Sequence, residues 1–266
     1  MVINVEIVQV ASTRSPWENL RAITTLTSRT KGGGLIVFPE YTMMDPTGLS
    51  ASDIRGAAEE YFTRFESFYK DLARDKGSCV AGHLFKPSPD GRVYNTLVLI
   101  DDSGDVIAEY YKTHLFDAFG YRESEFTTPG EALFKPVRAC GVNIGAAICY
   151  EIRFPEIFRV QALAGVDLFI VPAGWYRGPM KEYLLEVLAS ARAQENTSFV
   201  VLANNAGKSF IGMSRVVDPL GQSRIVAPPR EYLLAAEVDL GEIDRARRVL
   251  PVLKHRRVEL YKGWNS

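Results

Sequence analysis

The chain has 266 residues, 47% of them hydrophobic and 24% charged, with a formal net charge of -1. That length supports a sizeable core, and so balanced a charge excludes a general attraction to nucleic acid or to an anionic membrane. The longest apolar runs, such as residues 97–100 and 199–203, are strand-sized and far too short to span a bilayer. The opening MVINVEIVQV alternates like a strand and lacks the basic start and small-residue cleavage site of a signal peptide. Cys79, Cys140 and Cys149 are odd in number and have no metal-ligand spacing, so reduced thiols in the cytoplasm are expected rather than a disulfide framework.

Apolar residues recur at spacings of two and of three to four in turn, so strands and helices are mixed. After a strand at 2–10, Trp17, Leu20, Ile23 and Leu26 fall at helical spacing, with Ser15 as N-cap before Pro16. Gly32, Gly33 and Gly34 read as the stop of that helix, and residues 35–38 as a short strand closed by Pro39. A second helix carries Ile54, Ala58, Phe65 and Leu72 along one broad face. Strands are expected at 79–85, 96–101 and 106–111, the last two joined by a turn at Asp102, Ser103 and Gly104. The second half repeats the plan: strand 142–149, helix 155–164, strand 168–171 ended by Pro172, helix 183–196, and strands 199–203, 213–218 and 223–226.

LIVFP at 35–39 is echoed by LFIVP at 168–172, and VLIDDSGDVIA at 98–108 by RVVDPLGQSRIVA at 215–227. Each half is too incomplete to bury both faces of its own sheet. Residues 1–266 are therefore expected to form a single α/β domain, two packed sheets with helices outside and an internal pseudo-twofold.

Three residues at strand ends carry candidate chemistry. Cys149 closes the apolar run VNIGAAIC and is followed abruptly by polar sequence. A thiol at such a turn is exposed, and neighbouring backbone N–H groups can face an oxyanion; a buried structural cysteine is the plainer alternative. Glu40 follows LIVFP, where partial burial suits a general base, though a helix N-cap would look the same. Lys112 ends VIAEYYK; it is either a fixed cation of the site or a solvated side chain running past the tyrosines.

Taken together, these segments resemble the nitrilase superfamily of carbon–nitrogen hydrolases over nearly the whole chain. IVFPE at 36–40 is similar to the segment of the family's general base, YYKTHLFD at 110–117 to that of its lysine, and ICYEIRFPE at 148–156 to that of its nucleophile. RESEFTTPG at 122–130 resembles the stretch with its second glutamate, which places that role on Glu123, with Glu125 two residues on as the other choice of register. ARAQEN, VVDPLG and LPVLKHRR match further family features. The resemblance implies a four-layer αββα sandwich of two mixed β-sheets, a homodimer or larger homo-oligomer, and no metal or organic cofactor. It also implies a small-molecule amide cleaved through a thioester on Cys149, with Glu40 as base and Lys112 and the Tyr150 N–H holding the oxyanion.

Tyr150 after the nucleophile looks like the amidase and carbamoylase branches, since nitrile-cleaving members tend to have tryptophan there. Trp175 and Arg177 fall where the family lines its pocket, and Arg177 is a candidate for gripping a substrate carboxylate. N-carbamoyl compounds and nitriles remain alternative substrates, acyl transfer to an amine an alternative fate of the thioester, and a catalytically silent binding protein an alternative of another class. His114 reads as structural, because a papain-like order would put the cysteine first. AGKS at 206–209 lacks the first glycine of a phosphate loop. The basic segment with Arg245, Arg247, Arg248, Lys254, Arg256 and Arg257 is interleaved with Val249, Leu250, Val252 and Leu253, which fits a subunit contact or packed arm better than a nucleic-acid patch.

Overall fold

The first two helices start where short polar side chains can replace missing backbone partners. Ser15 accepts the Glu18 N–H at 3.3 Å, and Ser50 and Asp53 form a reciprocal capping box. In the computed structural model, which describes residues 1–261, β1 (Val2–Gln9), α1 (Pro16–Thr27), β2 (Leu35–Val37), α2 (Ala51–Lys76), β3 (Cys79–Pro87), β4 (Val93–Ile100) and β5 (Val106–Tyr111) form the first half. A small hairpin, β6 (Asp117–Ala118) and β7 (Tyr121–Arg122), leads into a 3-10 turn at Glu123–Glu125. The second half contains β8 (Val137–Ala139), β9 (Val142–Ala146), a 3-10 turn at Cys149–Arg153, α3 (Pro155–Leu163), β10 (Leu168–Ala173), α4 (Lys181–Asn196), β11 (Phe199–Asn204), β12 (Arg215–Val217) and β13 (Ser223–Val226). Strand β14 (Tyr232–Asp239) and helices α5 (Gly241–Val249) and α6 (Val258–Tyr261) follow. Residues 262–266 of the expected unit lie outside the described residues.

Two six-stranded mixed sheets result, ordered β14-β1-β2-β3-β4-β5 and β13-β12-β11-β10-β9-β8. Val5, Ile7, Val37 and Ala81 of the first sheet share one apolar cluster with Ile144, Ala146, Leu168 and Ile170 of the second. On the other face of the first sheet, Val8, Ile36, Val80 and Val98 pack with Ile23, Ile54, Phe65 and Tyr69 of α1 and α2. Phe158 of α3 meets Phe169 of β10 at 5.0 Å between ring centres. The layers therefore run helix, sheet, sheet, helix, as the resemblance implies. Among the described residues no helix is long and apolar enough to cross a membrane.

Several local expectations change. Helix α1 ends at Thr27, before the triple glycine; Gly34 serves a close approach instead, since a Cβ there would stand 2.1 Å from the Asn4 carbonyl oxygen. Pro172 does not end its strand. Strand β9 pairs with β10 only as far as Ile170, so the proline occupies a stretch where that neighbour makes no further demand on its nitrogen. The strand expected at 142–149 stops at Ala146. Strand β14 is half-exposed and poor in β-formers, and it gains definition only by pairing along all of β1.

The cysteine reading is also corrected. Cys79 at the start of β3 and Cys140 in the β8–β9 turn form a disulfide, their Cα atoms 6.1 Å apart, and Cys149 is left as the free thiol. Their sequence separation of 61 hides a proximity created by stacking the two sheets.

Candidate active site

The carboxyl ends of β2, β5 and β10 and the turn after β9 converge on one buried cluster. Glu40, Lys112 and Glu123 are essentially without solvent access, and Cys149 is nearly so. Lys112 Nζ lies 2.9 Å from Glu40 Oε1 and 2.8 Å from Glu123 Oε2. The other Glu40 oxygen accepts the Gly174 N–H at 2.8 Å, so the second half of the chain grips the carboxylate of the first. Gly174 has to be glycine for this: an added Cβ would meet the Tyr41 ring at 2.3 Å. Glu123 Oε2 also accepts the Phe116 N–H at 2.7 Å, whereas Glu125 is exposed.

A second tier sets the orientation of both carboxylates. The Tyr41 N–H donates to His83 Nδ1 at 3.1 Å, which leaves the ring proton on Nε2, facing Asn95 Oδ1 at 2.6 Å. Asn95 must then turn its Nδ2 toward the carboxylates, and it donates to Glu40 Oε1 and Glu123 Oε1, each at 2.8 Å. Burial pushes His83 down to about 4 against the pull of Glu40, so the ring is neutral.

Burial works most strongly, to raise Glu40, but the Lys112 charge together with the further lowering effects, among them the hydrogen bonds from Lys112 and Asn95, holds the carboxyl below its ordinary value. Burial raises Glu123, with Lys112 opposing. For Lys112 burial acts downward and is overcome by Glu123 and Glu40, so the ammonium persists. Burial, then the Glu40 charge, push the Cys149 thiol up. The resting pair is therefore a neutral thiol beside an ionised Glu40, rather than a preformed thiolate.

Cys149 has φ of +47°, a left-handed conformation that a side-chain-bearing residue adopts at some cost. It starts the 3-10 turn Cys149–Arg153, whose first N–H groups have no partner within the turn. Glu151 holds this bend. Its Oε2 accepts the Ile148 N–H at 2.7 Å, and its Oε1 accepts from Tyr110 Oη at 2.7 Å and from the Thr113 N–H and Oγ1 at 2.8 Å each. One buried carboxylate thus bolts the chain after Lys112 to the turn that presents the thiol. His114 lies beside that carboxylate, its Nδ1 3.7 Å from Glu151 Oε1, with its ring on Phe154 at 4.3 Å.

The thiol opens into a cleft of about 310 Å³ lined by Tyr41, Lys112, Phe116, Tyr150, Arg153, Gly174, Trp175, Tyr176 and Lys181. Tyr150 and Trp175 are therefore at the site. Arg177 is not: it is exposed, and its Nε donates to the Lys208 carbonyl at 3.2 Å. A larger groove of about 1270 Å³ along β5 and residues 129–137 contains none of Glu40, Lys112, Glu123 or Cys149. Asn95, His83, Glu151, Arg153 and Lys181 are not singled out by the sequence. Glu151 and Arg153 sit within the nucleophile segment and were legible by position; Asn95 and His83 lie inside ordinary-looking strands and gave no signal. Among the described residues no group of three or more His, Cys, Asp or Glu side chains is arranged to hold a metal ion.

Residues 4–248 match the family model described as carbon-nitrogen hydrolase. The chain is 39% identical over 171 residues to the deaminated glutathione amidase of Escherichia coli O157:H7, covering 64% of this chain and 65% of that protein. It is 33% identical over 276 residues to the deaminated glutathione amidase of Rattus norvegicus, covering 97% and 83%. Among solved structures it matches a mutant form of the amidase from Nesterenkonia sp. AN1, which shows Michael addition of acrylamide at the active-site cysteine. That match has a TM-score of 0.79 and 26% identity, and covers 98% of this chain and 99% of that one. A fold of two mixed sheets between helices, with a thiol turn facing a buried carboxylate–lysine cluster, defines a cysteine-dependent hydrolase. The chain belongs to the carbon–nitrogen hydrolase family.

Proposed function

We propose that the protein hydrolyses a small linear amide to a carboxylic acid and ammonia or an amine, with Glu40, Lys112, Cys149 and Glu123 as its catalytic group. The observation that carries this reading is the buried Glu40–Lys112 ion pair, 2.9 Å apart, at the cleft that Lys112 and the Cys149 thiol both line. Glu40 takes the Cys149 proton as Sγ bonds to the substrate carbonyl carbon. Lys112 Nζ and the Tyr150 N–H stabilise the oxyanion, and Glu123 anchors Lys112. The oxyanion collapses, the C–N bond breaks, and the departing nitrogen takes the proton from Glu40, leaving a thioester. Water then gives a proton to Glu40 and attacks the thioester carbon; the acid leaves and Cys149 regains its proton.

Tyr150 and Trp175 serve as walls of the substrate cleft. The relatives named deaminated glutathione amidases support deaminated glutathione as a first substrate to try. A homodimer or larger assembly belongs to the same proposal, supported by the exposed Val160 and Leu163 on α3 and Tyr183, Leu184 and Val187 on α4. A cytoplasmic location, as one single-domain enzyme, completes it; the Cys79–Cys140 bond makes a thiol count on protein taken from cells the relevant check.

The test is Cys149→Ala. Turnover of small amides should vanish while the thermal melting curve is retained, and mass spectrometry of the wild type with a slow amide should show an acyl adduct on Cys149. Surviving turnover in the variant would sink the mechanism.

A further inference from the structure

One uncharged residue touches Glu40, Lys112 and Glu123 at once. Asn95, fully buried on β4, donates both hydrogens of its amide, one to Glu40 Oε1 and one to Glu123 Oε1, each at 2.8 Å. Its main-chain carbonyl accepts the Lys112 N–H at 2.9 Å. Two residues earlier on the same strand, the Val93 N–H donates to the Phe126 carbonyl at 2.9 Å, and the Val93 carbonyl accepts the Thr128 N–H at 2.8 Å. The segment after Glu123 is thereby pinned to β4 as well. His83 fixes the amide from behind, its Nε2 facing Asn95 Oδ1 at 2.6 Å.

A carboxylate oxygen has two lone pairs. On Glu40 Oε1 both are filled, by Lys112 Nζ and Asn95 Nδ2. At Glu40 Oε2 the Gly174 N–H is, among the described residues, the one N–H donor, so a lone pair is left there. Two of the three Lys112 ammonium hydrogens go to Glu40 and Glu123, and the third is left for an oxyanion. A primary amide suits the place of Asn95 because it offers two donors on one neutral atom. A lysine there would add a second ammonium, and an aspartate a third carboxylate. An apolar side chain would leave the two glutamates with Lys112 as the one donor they share.

We infer that Asn95 is a positioning residue of the hydrolysis: by filling Glu40 Oε1 it makes Oε2 the oxygen that takes the Cys149 proton, and with the same amide it holds Glu123 against Lys112. This rests on the amide-hydrolase reading above. Without Asn95, Oε1 has an open lone pair that competes with Oε2 for a proton. The titratable groups facing Glu40 are Lys112, His83, Glu123, Cys149 and Tyr41. Burial is the largest influence on Glu40 and acts upward, and the Asn95 hydrogen bond is among those that oppose it. Removing that bond therefore raises the pH at which the ionised base is lost.

Two rates should be followed from pH 3.5 to 8 in the wild type, Asn95→Leu and Asn95→Ser: ammonia release from propionamide, and alkylation of Cys149 by iodoacetamide, read by mass spectrometry. In the wild type both should fall only below pH 4.5. In Asn95→Leu the fall is expected about one pH unit higher or more, with KM changed less than about threefold and kcat at pH 8 lowered about tenfold. Asn95→Ser is smaller and still polar; it should shift the same way, and it carries the test if the leucine variant loses its melting transition. A purely structural role would lower both rates equally at every pH. An unmoved acid limb in a folded variant therefore overturns the positioning role. If the alkylation limb moves but the wild type releases no ammonia from propionamide or any other small amide of a screen, the role of Asn95 stands and the hydrolase reading fails. Ammonia release with an unmoved limb in both assays overturns the role of Asn95 and leaves the hydrolase reading intact.

Discussion

The two halves of the molecule share one strand plan and divide the chemistry unequally. Read as β14-β1-β2-β3-β4-β5 and β8-β9-β10-β11-β12-β13, both sheets pair antiparallel, parallel, parallel, antiparallel, antiparallel. Leu35 opposes Val5 as Leu168 opposes Ile144. Counting forward from those pairs, Glu40 corresponds to Ala173 and Cys149 to Val10. The first half thus supplies the base and the lysine, and the second supplies the thiol and the Gly174 N–H that holds the base. Neither half contains a complete site. A repeated scaffold brings two strand ends together, and the residues carried there decide what each end does.

The sharpest way to break this division is to neutralise Glu40. Glu40→Gln keeps the shape and loses the proton acceptor, so kcat should fall on the order of 10²–10⁴-fold, read by steady-state ammonia release. In the wild type the Lys112 charge together with further lowering effects, the hydrogen bonds from Lys112 and Asn95 among them, holds Glu40 below its ordinary value of 4.5 despite burial. The ionised base is then present above that pH and is lost as pH falls through the folded value. The acid limb of kcat/KM should therefore lie below pH 4.5, and a limb near neutrality would contradict the base assignment.

A smaller effect is expected from the bolt between the halves. Glu151 offers acceptors on both oxygens, to the Ile148 N–H on one side and to Tyr110 and Thr113 on the other. Glu151→Gln has a single acceptor and must present an NH2 to one set of donors. It should lower kcat by roughly tenfold to a hundredfold through misplacement of the thiol against Lys112, and reduce stability by about 1–3 kcal/mol in urea titration. An unchanged kcat with the stability loss alone would reduce Glu151 to a purely structural bolt.

The last effect, on stability at acid pH rather than on turnover, falls on the second tier of the first half. His83 is pushed by burial from 6.5 to about 4, so between those values the unfolded chain binds the proton that the folded one refuses. Its contribution is therefore full above pH 6.5 and declines as pH drops, by about 3 kcal/mol at pH 4. His83→Gln offers the same acceptor and donor without titrating, and its stability between pH 4 and 6.5 should fall less steeply than that of the wild type. Parallel curves would remove His83 from the acid response.

Much of the fold was legible because strand and helix are written in local periodicity. The five-residue echo of LIVFP in LFIVP, and the turn-centred echo at 98–108 and 215–227, mark β2 with β10 and β4–β5 with β12–β13. The misses share a cause. Gly34 is dictated by a neighbouring strand and Pro172 is permitted by the end of one, and neither fact is local. Strand β14 is half-exposed and gains its identity from β1, far away in sequence.

The sequence by itself determined the two-halves plan, the family, and the three segments bearing Glu40, Lys112 and Cys149, because hydrophobic period and short motifs are carried by consecutive residues. Only the tertiary structure decided the rest. It brought Glu123 rather than Glu125 to Lys112, made Asn95 and His83 the frame of the carboxylates, joined Cys79 to Cys140, and pointed Arg153 instead of Arg177 at the cleft. Each of these depends on which distant strand ends are stacked together, and on what burial then demands of the charges left there.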